Sequence, residues 1–468
     1  MIALTIQDIV SIVQGQPSAG CDLRSVVSGE VRIDSRIIRP GDLFIAIPGE
    51  TFDGHDFTDQ ALFSGAVAAV VSRPVSGPHI LVDDPIVALG LLASGVVSRL
   101  PDLTTIALTG SSGKTSTKDL LAQVMPALGP TVAPLGSFNN ETGLPLTALG
   151  VDKATRFLIA EMGARGLGHI AYLCRSTPPD IGIVLNVGHA HVGEFGSREV
   201  IAQAKGEIVE ALSDDGVAIL NEDDDFVRDM RSRTRARVIT FGRAETADIR
   251  VSDVVVAPDG TSSFTVRVGD ESVPVVLPLV GEHHVLNAAA VVAVGTALGA
   301  PLTMLAQELG RVRALSRWRM EVTTTPDNVT VINDAYNANP ESVAAGLRAL
   351  VSIAHGQSGQ ISATRRSFAV LGEMRELGES SQAAHEGIGQ LTVELGIGQV
   401  IVVGAAASAI AEARSAAGMS GTTTMVASPE EAIAVLQASL HSDDVVLIKA
   451  SRAVGLEVVA TALMETQE

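Results

Sequence analysis

The chain has 468 residues, 46% hydrophobic and 18% charged, enough apolar material for about three domains of ~150 residues and too apolar for a disordered tail. Its 33 Lys and Arg against 53 Asp and Glu give a net charge of −20, and aromatics make up only 3%; both disfavour nucleic acid and anionic membranes as partners. Two cysteines, Cys21 and Cys174, exclude a disulfide framework and a four-thiolate zinc site.

The first residues, Met1-Ile2-Ala3-Leu4-Thr5-Ile6-Gln7-Asp8, carry no basic segment of a secretory signal, and no apolar run approaches the ~18 residues of a membrane span. A cytoplasmic, multidomain enzyme is expected. Up to Arg99, short strands (43–47, 67–71, 80–82) mix with two helices, and Pro101-Asp102 marks a boundary. From Thr104 the pattern changes. Residues 105–108, 157–160 and 181–187 are apolar runs without polar alternation, as parallel strands covered on both faces require. Residues 248–280 alternate Val, Thr and Phe with polar residues, which predicts an antiparallel excursion, and 283–298 read as a helix. A second α/β unit begins near Arg319, with strands at 329–332, 368–371, 400–403 and 445–448 and helices between them. One helix opens on Ser428-Pro429-Glu430-Glu431, the form of a capping box. The polar stretch 355–366 reads as a loop. The expected fold class is therefore α/β in three domains: a small N-terminal α/β domain (1–101), a central P-loop-type domain with a mostly parallel sheet (102–315) and a C-terminal Rossmann-like domain (316–468).

The sharpest local signal is Thr109-Gly110-Ser111-Ser112-Gly113-Lys114-Thr115, between a buried strand and a helix through Asp119, Leu120, Leu121 and Val124. Small residues let backbone N–H groups close around phosphate oxygens, the helix N-terminus adds a favourable dipole, and Lys114 adds a point charge near the terminal phosphates. Thr115 is placed to put its hydroxyl on Mg²⁺. Leu108 stands where the longer G-x-x-x-x-G-K-[ST] loop needs glycine, so an ordinary kinase or GTPase is disfavoured.

In open α/β sheets ligands sit beyond the carboxyl ends of the strands. Glu161 follows one central strand, and His189 and His191 follow another. A carboxylate and a neutral imidazole there can share a metal, although a strand-end Glu is equally a solvated or capping group and the two histidines can simply line a loop. Lys205, on an expected helix, has no feature in the sequence that separates it from a solvated lysine. Asn139 and Asn140 open a polar turn whose side chains either cap backbone groups or touch substrate. Asp334, Tyr336, Asn337 and Asn339, in Asn333-Asp334-Ala335-Tyr336-Asn337-Ala338-Asn339-Pro340, follow a strand and precede a helix, again at the ligand edge of a sheet. Two such edges in succession suggest a cleft closing between them.

Taken in order, these segments resemble the ATP-dependent Mur ligases of peptidoglycan synthesis along the whole chain. The likeness starts with Asp34-Ser35-Arg36, Pro40 to Phe44 and Pro48-Gly49-Glu50, and continues through the compact TGSSGKT loop, Asn139 to Pro145, Glu161 to Ala164, Asn186 to Gly196 and Gly281 to Ala288. It ends with Arg319-Met320-Glu321, Asp334 to Pro340, Leu371 to Met374 and Lys449 to Arg452. The 333–340 segment looks like the branch that adds D-alanyl-D-alanine to a UDP-N-acetylmuramoyl-tripeptide; the Asp-Asn-Pro-Arg motif of the diaminopimelate- or lysine-adding branch is absent.

The resemblance implies an amide ligase that passes through an acyl phosphate, with ATP as a substrate and two Mg²⁺ ions. It implies that Gly110, Ser111, Ser112, Gly113 and Lys114 bind the phosphates, that Thr115 with Glu161 holds the first Mg²⁺ and that His191 holds the second. It further implies a carbamylated Lys205, at the family's spacing from the metal histidine. Asn287 is then expected at the adenine, Asp334 at the ribose, Arg319 at the γ-phosphate, and Asp34, Ser35 and Arg36 at the uridine diphosphate. Asn139, Asn140, Tyr336, Asn337 and Asn339 are expected near the peptide substrates. His284 replaces the Asn of the family's Gly-x-His-Asn pattern. A cytoplasmic monomer is expected. The alternatives are another amino-acid-adding Mur ligase, a folylpolyglutamate-synthase-like ligase and, in a different class, a small-molecule P-loop kinase.

Overall fold

The computed structural model describes residues 1–49, 51–134, 136–190, 192–355 and 365–465. Its three large sheets follow one another along the chain. The first has five short strands in the order Gln16–Pro17, His79–Leu81, Ala68–Val71, Leu43–Ile45, Val31–Arg32, parallel except for the antiparallel Gln16–Pro17 edge. Three α-helices accompany it, one more than the sequence suggested: Ile6–Val13, Thr58–Phe63 and Pro85–Val97. The first helix opens on a capping box in which Thr5 and Asp8 bond each other's backbone N–H. Packing crosses the expected boundary at 101/102: Leu89, Leu92 and Val96 share one apolar cluster with Ala148, Leu149 and Leu158.

The central sheet has nine strands. Thr131–Val132, Phe157–Glu161, Thr104–Thr109, Ile181–Val184, Val217–Asn221, Arg237–Gly242 and Ile249–Val256 run parallel in that spatial order. The expected excursion follows as Ser262–Val268 and Glu271–Leu277, which turn back antiparallel. Helices Lys114–Val124 and His284–Ala297 cover one face and His169–Ser176 and Arg198–Glu210 the other. The His284–Ala297 helix is buried on nearly every side, which explains its apolar composition without a polar stripe. Truncating Leu120 or Ile183 in this core to Ala is expected to cost about 2–5 kcal/mol. Thr104–Thr109 lies between Phe157–Glu161 and Ile181–Val184, where the chain winds outward in both directions, and this switch point opens a crevice at the carboxyl ends.

The third sheet orders Glu321–Thr324, Thr330–Asn333, Val445–Lys449, Ser367–Leu371, Gln399–Val403 and Thr423–Val426. Glu321–Thr324, too polar to stand out in the sequence, adds as an antiparallel edge, and the other strands are parallel. The Ser428 hydroxyl caps its helix at Glu431 N, but the Glu431 carboxylate accepts from Ala427 N rather than from Ser428 N. The expected loop at 355–366 lies mostly outside the described residues; His355 ends the helix Pro340–His355. Among the described residues no helix is long and apolar enough to cross a membrane.

Candidate active site

The strand Thr104–Thr109 delivers the loop 110–113 to the helix Lys114–Val124. Gly113 has φ +80°, and a Cβ there would lie 2.7 Å from Asn287 Oδ1, so both conformation and space demand glycine. No side chain caps this helix, leaving its first-turn N–H groups directed outward as an anion cradle. The amides of Ser111 and Ser112 are engaged instead: Ser111 N donates to the Asn186 carbonyl (3.1 Å) and Ser112 N to Asn186 Oδ1 (2.9 Å), while Asn186 Nδ2 donates to Ser112 O (3.1 Å). Asn186 thus shapes the loop. It stands where the apolar run 181–187 was expected to remain strand; the strand ends at Val184, and the residues after it turn to hold the phosphate loop. Lys114 Nζ donates to Gly110 O at 2.6 Å. Burial pushes its ammonium below the ordinary lysine range, against the opposing pull of Glu161 and together with repulsion from Arg319.

Glu161 ends the adjacent strand and is only 1% exposed. Its Oε1 accepts from Asn139 Nδ2 (2.8 Å) and Thr115 Oγ1 (3.3 Å), and Thr115 Oγ1 stands 3.0 Å from Ser137 Oγ. Its Oε2 is buried with no hydrogen-bond partner among the described residues. A buried, donorless carboxylate oxygen costs about 1–3 kcal/mol, and carboxylate and hydroxyl oxygens suit a hard divalent cation. Thr115 and Glu161 therefore fit a Mg²⁺ ion. Among the described residues no three His, Cys, Asp or Glu side chains gather into a protein-only metal cluster. His191, expected to hold a second ion, lies outside the described residues. Lys205, on helix Arg198–Glu210, is 2% exposed and lines the same cavity. It makes no hydrogen bond among the described residues, and burial, reinforced by Lys114, drives its ammonium well below the ordinary range.

Of the two asparagines of the 139–145 turn, one reaches a cavity carboxylate and the other caps the backbone. Asn139 reaches Glu161, whereas Asn140 Oδ1 accepts from Gly143 N at 2.8 Å and so secures the start of helix Gly143–Ala148.

Facing this edge is the carboxyl end of the third sheet. Asp334 accepts from Lys449 Nζ at 2.5 Å through Oδ2 and from Met320 N at 3.2 Å through Oδ1. Lys449 also donates to Asn337 O at 2.9 Å. The Arg319 guanidinium lies 4.1 Å from the Tyr336 ring centroid and donates to Ser137 of the central unit at 3.1 Å. Asn339 Nδ2 reaches Ser111 O at 3.5 Å, while its Oδ1 accepts from Ser342 N. Glu341 accepts from both His189 N (2.9 Å) and the His189 ring (2.7 Å) through Oε1. Phosphate loop, Asn139, Asn140, Glu161, Lys205, Asn287, Arg319, Asp334, Tyr336, Asn337 and Asn339 thus line one cavity of about 480 Å³ between the two sheets. In a chain of net charge −20, the cavity lining brings Lys114, Arg165, Arg319 and Lys449 together with Glu161, Asp334, Glu341 and Glu376, a mixed set in which cationic groups face anionic ligands and carboxylates face a cation. The neutral ring of His283 lines it too, its pKa lowered by burial to about 4.

Asp34, Ser35 and Arg36 are elsewhere. Asp34 and Arg36 pair at 2.7 Å on the surface of the first unit, and Ser35 Oγ bonds Gln60 Oε1 at 3.1 Å; none lines the cavity. Sequence reasoning assigned no role to Asn186, Ser137, His283 or Lys449. A lysine closing the apolar strand Val445–Lys449 is a signal available in the sequence. Ser137 has none, because only the fold brings it to Thr115.

Three family models match the chain: the Mur ligase family catalytic domain at residues 29–94, the Mur ligase middle domain at 108–295 and the Mur ligase glutamate ligase domain at 318–452. The UDP-N-acetylmuramoyl-tripeptide–D-alanyl-D-alanine ligase of Mycobacterium bovis is 44% identical, the match covering 99% of this chain and 98% of that one. Among solved structures, MurF from Acinetobacter baumannii superimposes with a TM-score of 0.89 at 31% identity, covering 99% of both chains. MurF ligase from Thermotoga maritima in complex with ADP gives 0.82 at 31% identity, covering 94% of this chain and 97% of that one.

Proposed function

Because the chain belongs to the Mur ligase family, we infer the reaction of its site from the family chemistry and from the groups that line the cavity. The protein is an ATP-dependent ligase that joins D-alanyl-D-alanine to UDP-N-acetylmuramoyl-tripeptide in peptidoglycan synthesis. The observation that carries this conclusion is the full-length likeness to ligases of that name, at 44% identity.

In the reaction the terminal carboxylate of the tripeptide attacks the γ-phosphorus of ATP. ADP leaves and an acyl phosphate forms. The amine of the dipeptide then adds to the acyl carbon, and the tetrahedral intermediate expels phosphate, which keeps one oxygen of the original carboxylate. The barrier is chiefly the repulsion between two anions, so catalysis rests on positioning and electrostatics. The helix N-terminus at 113–116 and Lys114 receive the phosphates, and Arg319 reaches the γ-phosphate from the opposite wall. A bound Mg²⁺ would neutralise phosphate charge, with Thr115 and Glu161 as its protein ligands. Burial of Lys205 favours the neutral amine, the form that adds to CO₂, which supports a carbamate there as a carboxylate-like metal ligand. For His191 as a ligand of a second ion, the resemblance alone is the support.

Asn287, beside Gly113, is the adenine contact and Asp334 the ribose contact in this reading; Tyr336, Asn337 and Asn339 flank the incoming dipeptide. The first unit (1–101) takes the uridine diphosphate, with Asp34, Ser35 and Arg36 as its candidates, the central unit (102–315) takes ATP and the last (316–468) closes over it. A cytoplasmic monomer is what the family resemblance implies, and dependence on ATP agrees with the cytoplasm. The test is phosphate release from ATP with UDP-muramoyl-tripeptide, with and without D-alanyl-D-alanine, with the product weighed. Dipeptide-dependent release and a pentapeptide product are expected. Release with a single amino acid on a shorter precursor would assign a sister ligase, and phosphorylated acceptor without an amide would assign a kinase.

A further inference from the structure

At its cavity edge the third sheet holds a buried cation to which the mechanism has given no task. Lys449 closes the central strand Val445–Lys449, between Thr330–Asn333 and Ser367–Leu371, and is 2% exposed. Its stem passes under helix Pro340–His355 at Gly346, where a Cβ would sit 3.4 Å from Lys449 Cδ. A buried ammonium group is retained only when paired and hydrogen-bonded, and this one has two partners on a single loop: Asp334 Oδ2 at 2.5 Å and Asn337 O at 2.9 Å. The other Asp334 oxygen accepts from Met320 N at 3.2 Å. The Lys449 charge is thereby tied through one carboxylate to the turn that carries Arg319.

That turn needs holding. Trp318 and Met320, on either side of Arg319, have φ of +59° and +49°, the left-handed region that costs a non-glycine residue about 1–3 kcal/mol and persists only when its surroundings enforce it. Tyr336 N donates to Trp318 O at 3.1 Å, and the Tyr336 ring lies under the Arg319 guanidinium at 4.1 Å. Three ties on the turn, from Asp334 to Met320 N and from Tyr336 to Trp318 O and to Arg319, thus lead back to the 334–337 loop that Lys449 grips. Beside them, Trp318 N donates to Glu321 Oε2 (3.2 Å) and the Arg452 guanidinium lies 4.3 Å from the Trp318 ring. Arg319 is the group that crosses to Ser137 beside the phosphate loop.

We propose that Lys449 is a positioning residue of the ligase: its ammonium group fixes Asp334 and the 334–337 loop, and through them sets the strained turn that presents Arg319 to the nucleotide phosphates. The proposal rests on the ATP-dependent ligase reading of the cavity. Lys449 bears on the phosphates through Arg319 and on the ribose through Asp334. The first route is read in kcat, where its loss and the loss of Arg319 fall on one chain of contacts, and the second in the KM for ATP.

The test compares Lys449→Met, the neutral pair Asp334→Asn/Lys449→Met, Arg319→Ala, and Arg319→Ala/Lys449→Met. The paired variant leaves no unpartnered buried charge and guards against misfolding; melting curves confirm that each chain folds. Displacing Arg319 by about 1 Å is expected to lower kcat by about 100-fold in Lys449→Met and in the paired variant, with the KM for D-alanyl-D-alanine little changed. In the Arg319→Ala background the same substitution should lower kcat by less than about threefold more, because groups acting as a unit are not additive. Unchanged kcat in folded Lys449→Met, or its full loss repeated in the Arg319→Ala background, would overturn the proposal. The wild type tests the functional reading separately: without dipeptide-dependent turnover that reading fails, and the same non-additivity, read in the affinity for a non-hydrolysable ATP analogue by calorimetry, still decides the role of Lys449.

Discussion

The two sheet edges that wall the cavity are built on opposite plans. At the central edge, charged groups are buried and left incomplete: Glu161 has an oxygen with no donor, Lys205 has no partner among the described residues, and the first-turn amides of helix Lys114–Val124 carry no cap. At the facing edge the central ion pair is satisfied, Asp334 by Lys449 and Met320 N, while Glu341, held through Oε1 by His189, and Arg319, held through its Nη2 by Ser137, each keep one buried atom without a partner among the described residues. The first edge is made to receive phosphate and cation, whose binding completes it. The second is made to hold geometry and to bring Arg319 across. Unsatisfied polar groups in a folded core mark where a ligand completes the structure, whereas a satisfied pair marks where the structure supports a ligand's neighbour.

Substitutions can break this contrast. Lys114→Ala, which removes a cation from the receiving edge, should reduce turnover by at least about 1000-fold while the melting temperature stays close to wild type; near-normal phosphate release would remove the loop from the site. Lys205→Ala should lower kcat about 100-fold, with partial recovery on adding formate or acetate, since a small carboxylate can occupy the place of the carbamate. A fully active variant would show that no carbamate is needed. At the supporting edge the loss falls on both constants. Asp334→Ala is expected to raise the KM for ATP about tenfold, the loss of one hydrogen-bonded anchor, and to lower kcat as Lys449→Met does, because it frees the same turn; an unchanged KM would withdraw the ribose contact.

A fourth prediction concerns stability. The pKa of His283 is lowered by burial to about 4, and that of His284 falls well below the ordinary value through burial and then through repulsion from His283. A depressed histidine pKa means that the unfolded chain binds protons first, so the stability these rings allow is complete above pH ~6.5 and is lost as pH falls toward 4. The window lies above that of Asp34 and Asp53, whose carboxyls are held down to about 2, chiefly by hydrogen bonds from Arg36 and His55. His284→Asn should therefore flatten urea-derived stability between pH 6.5 and 4.5 by on the order of 1–2 kcal/mol. An unaltered slope would assign the acid sensitivity to other groups. The smallest effect is expected at Cys174, whose thiol burial pushes up to about 12: native protein should be alkylated at the partly exposed Cys21 and not at Cys174, and labelling at Cys174 would show that the helix His169–Ser176 opens readily.

The contrast also explains what could be read from the amino-acid order. The receiving edge is local: strand, glycine-rich turn and helix lie within residues 104–124, and Glu161 follows an apolar run that announces itself. Strand periodicity likewise located the central and third sheets, because parallel strands buried on both faces leave unbroken apolar runs. Glu321–Thr324 escaped notice because it is a half-exposed edge strand with polar residues. The supporting edge depends on pairings far apart in the chain, Lys449 with Asp334 and Arg319 with Ser137, and the receiving edge has one such pairing of its own, Asn186 with Ser112. No spacing rule connects them, and their side chains meet only because the topology carries three strand ends to one place. The N-terminal candidates show the opposite limit. Asp34 and Arg36 satisfy each other at the surface, and nothing in their immediate chemistry separates a binding pair from a surface ion pair.

The central claim is that the cavity activates a carboxylate as an acyl phosphate rather than delivering phosphate to water or to a hydroxyl. The most direct measurement uses tripeptide precursor labelled with ¹⁸O in its terminal carboxylate and weighs the phosphate released during a single turnover with D-alanyl-D-alanine. The account predicts one ¹⁸O in each phosphate formed with the amide. Unlabelled phosphate, with both labelled oxygens still on the peptide, would contradict it.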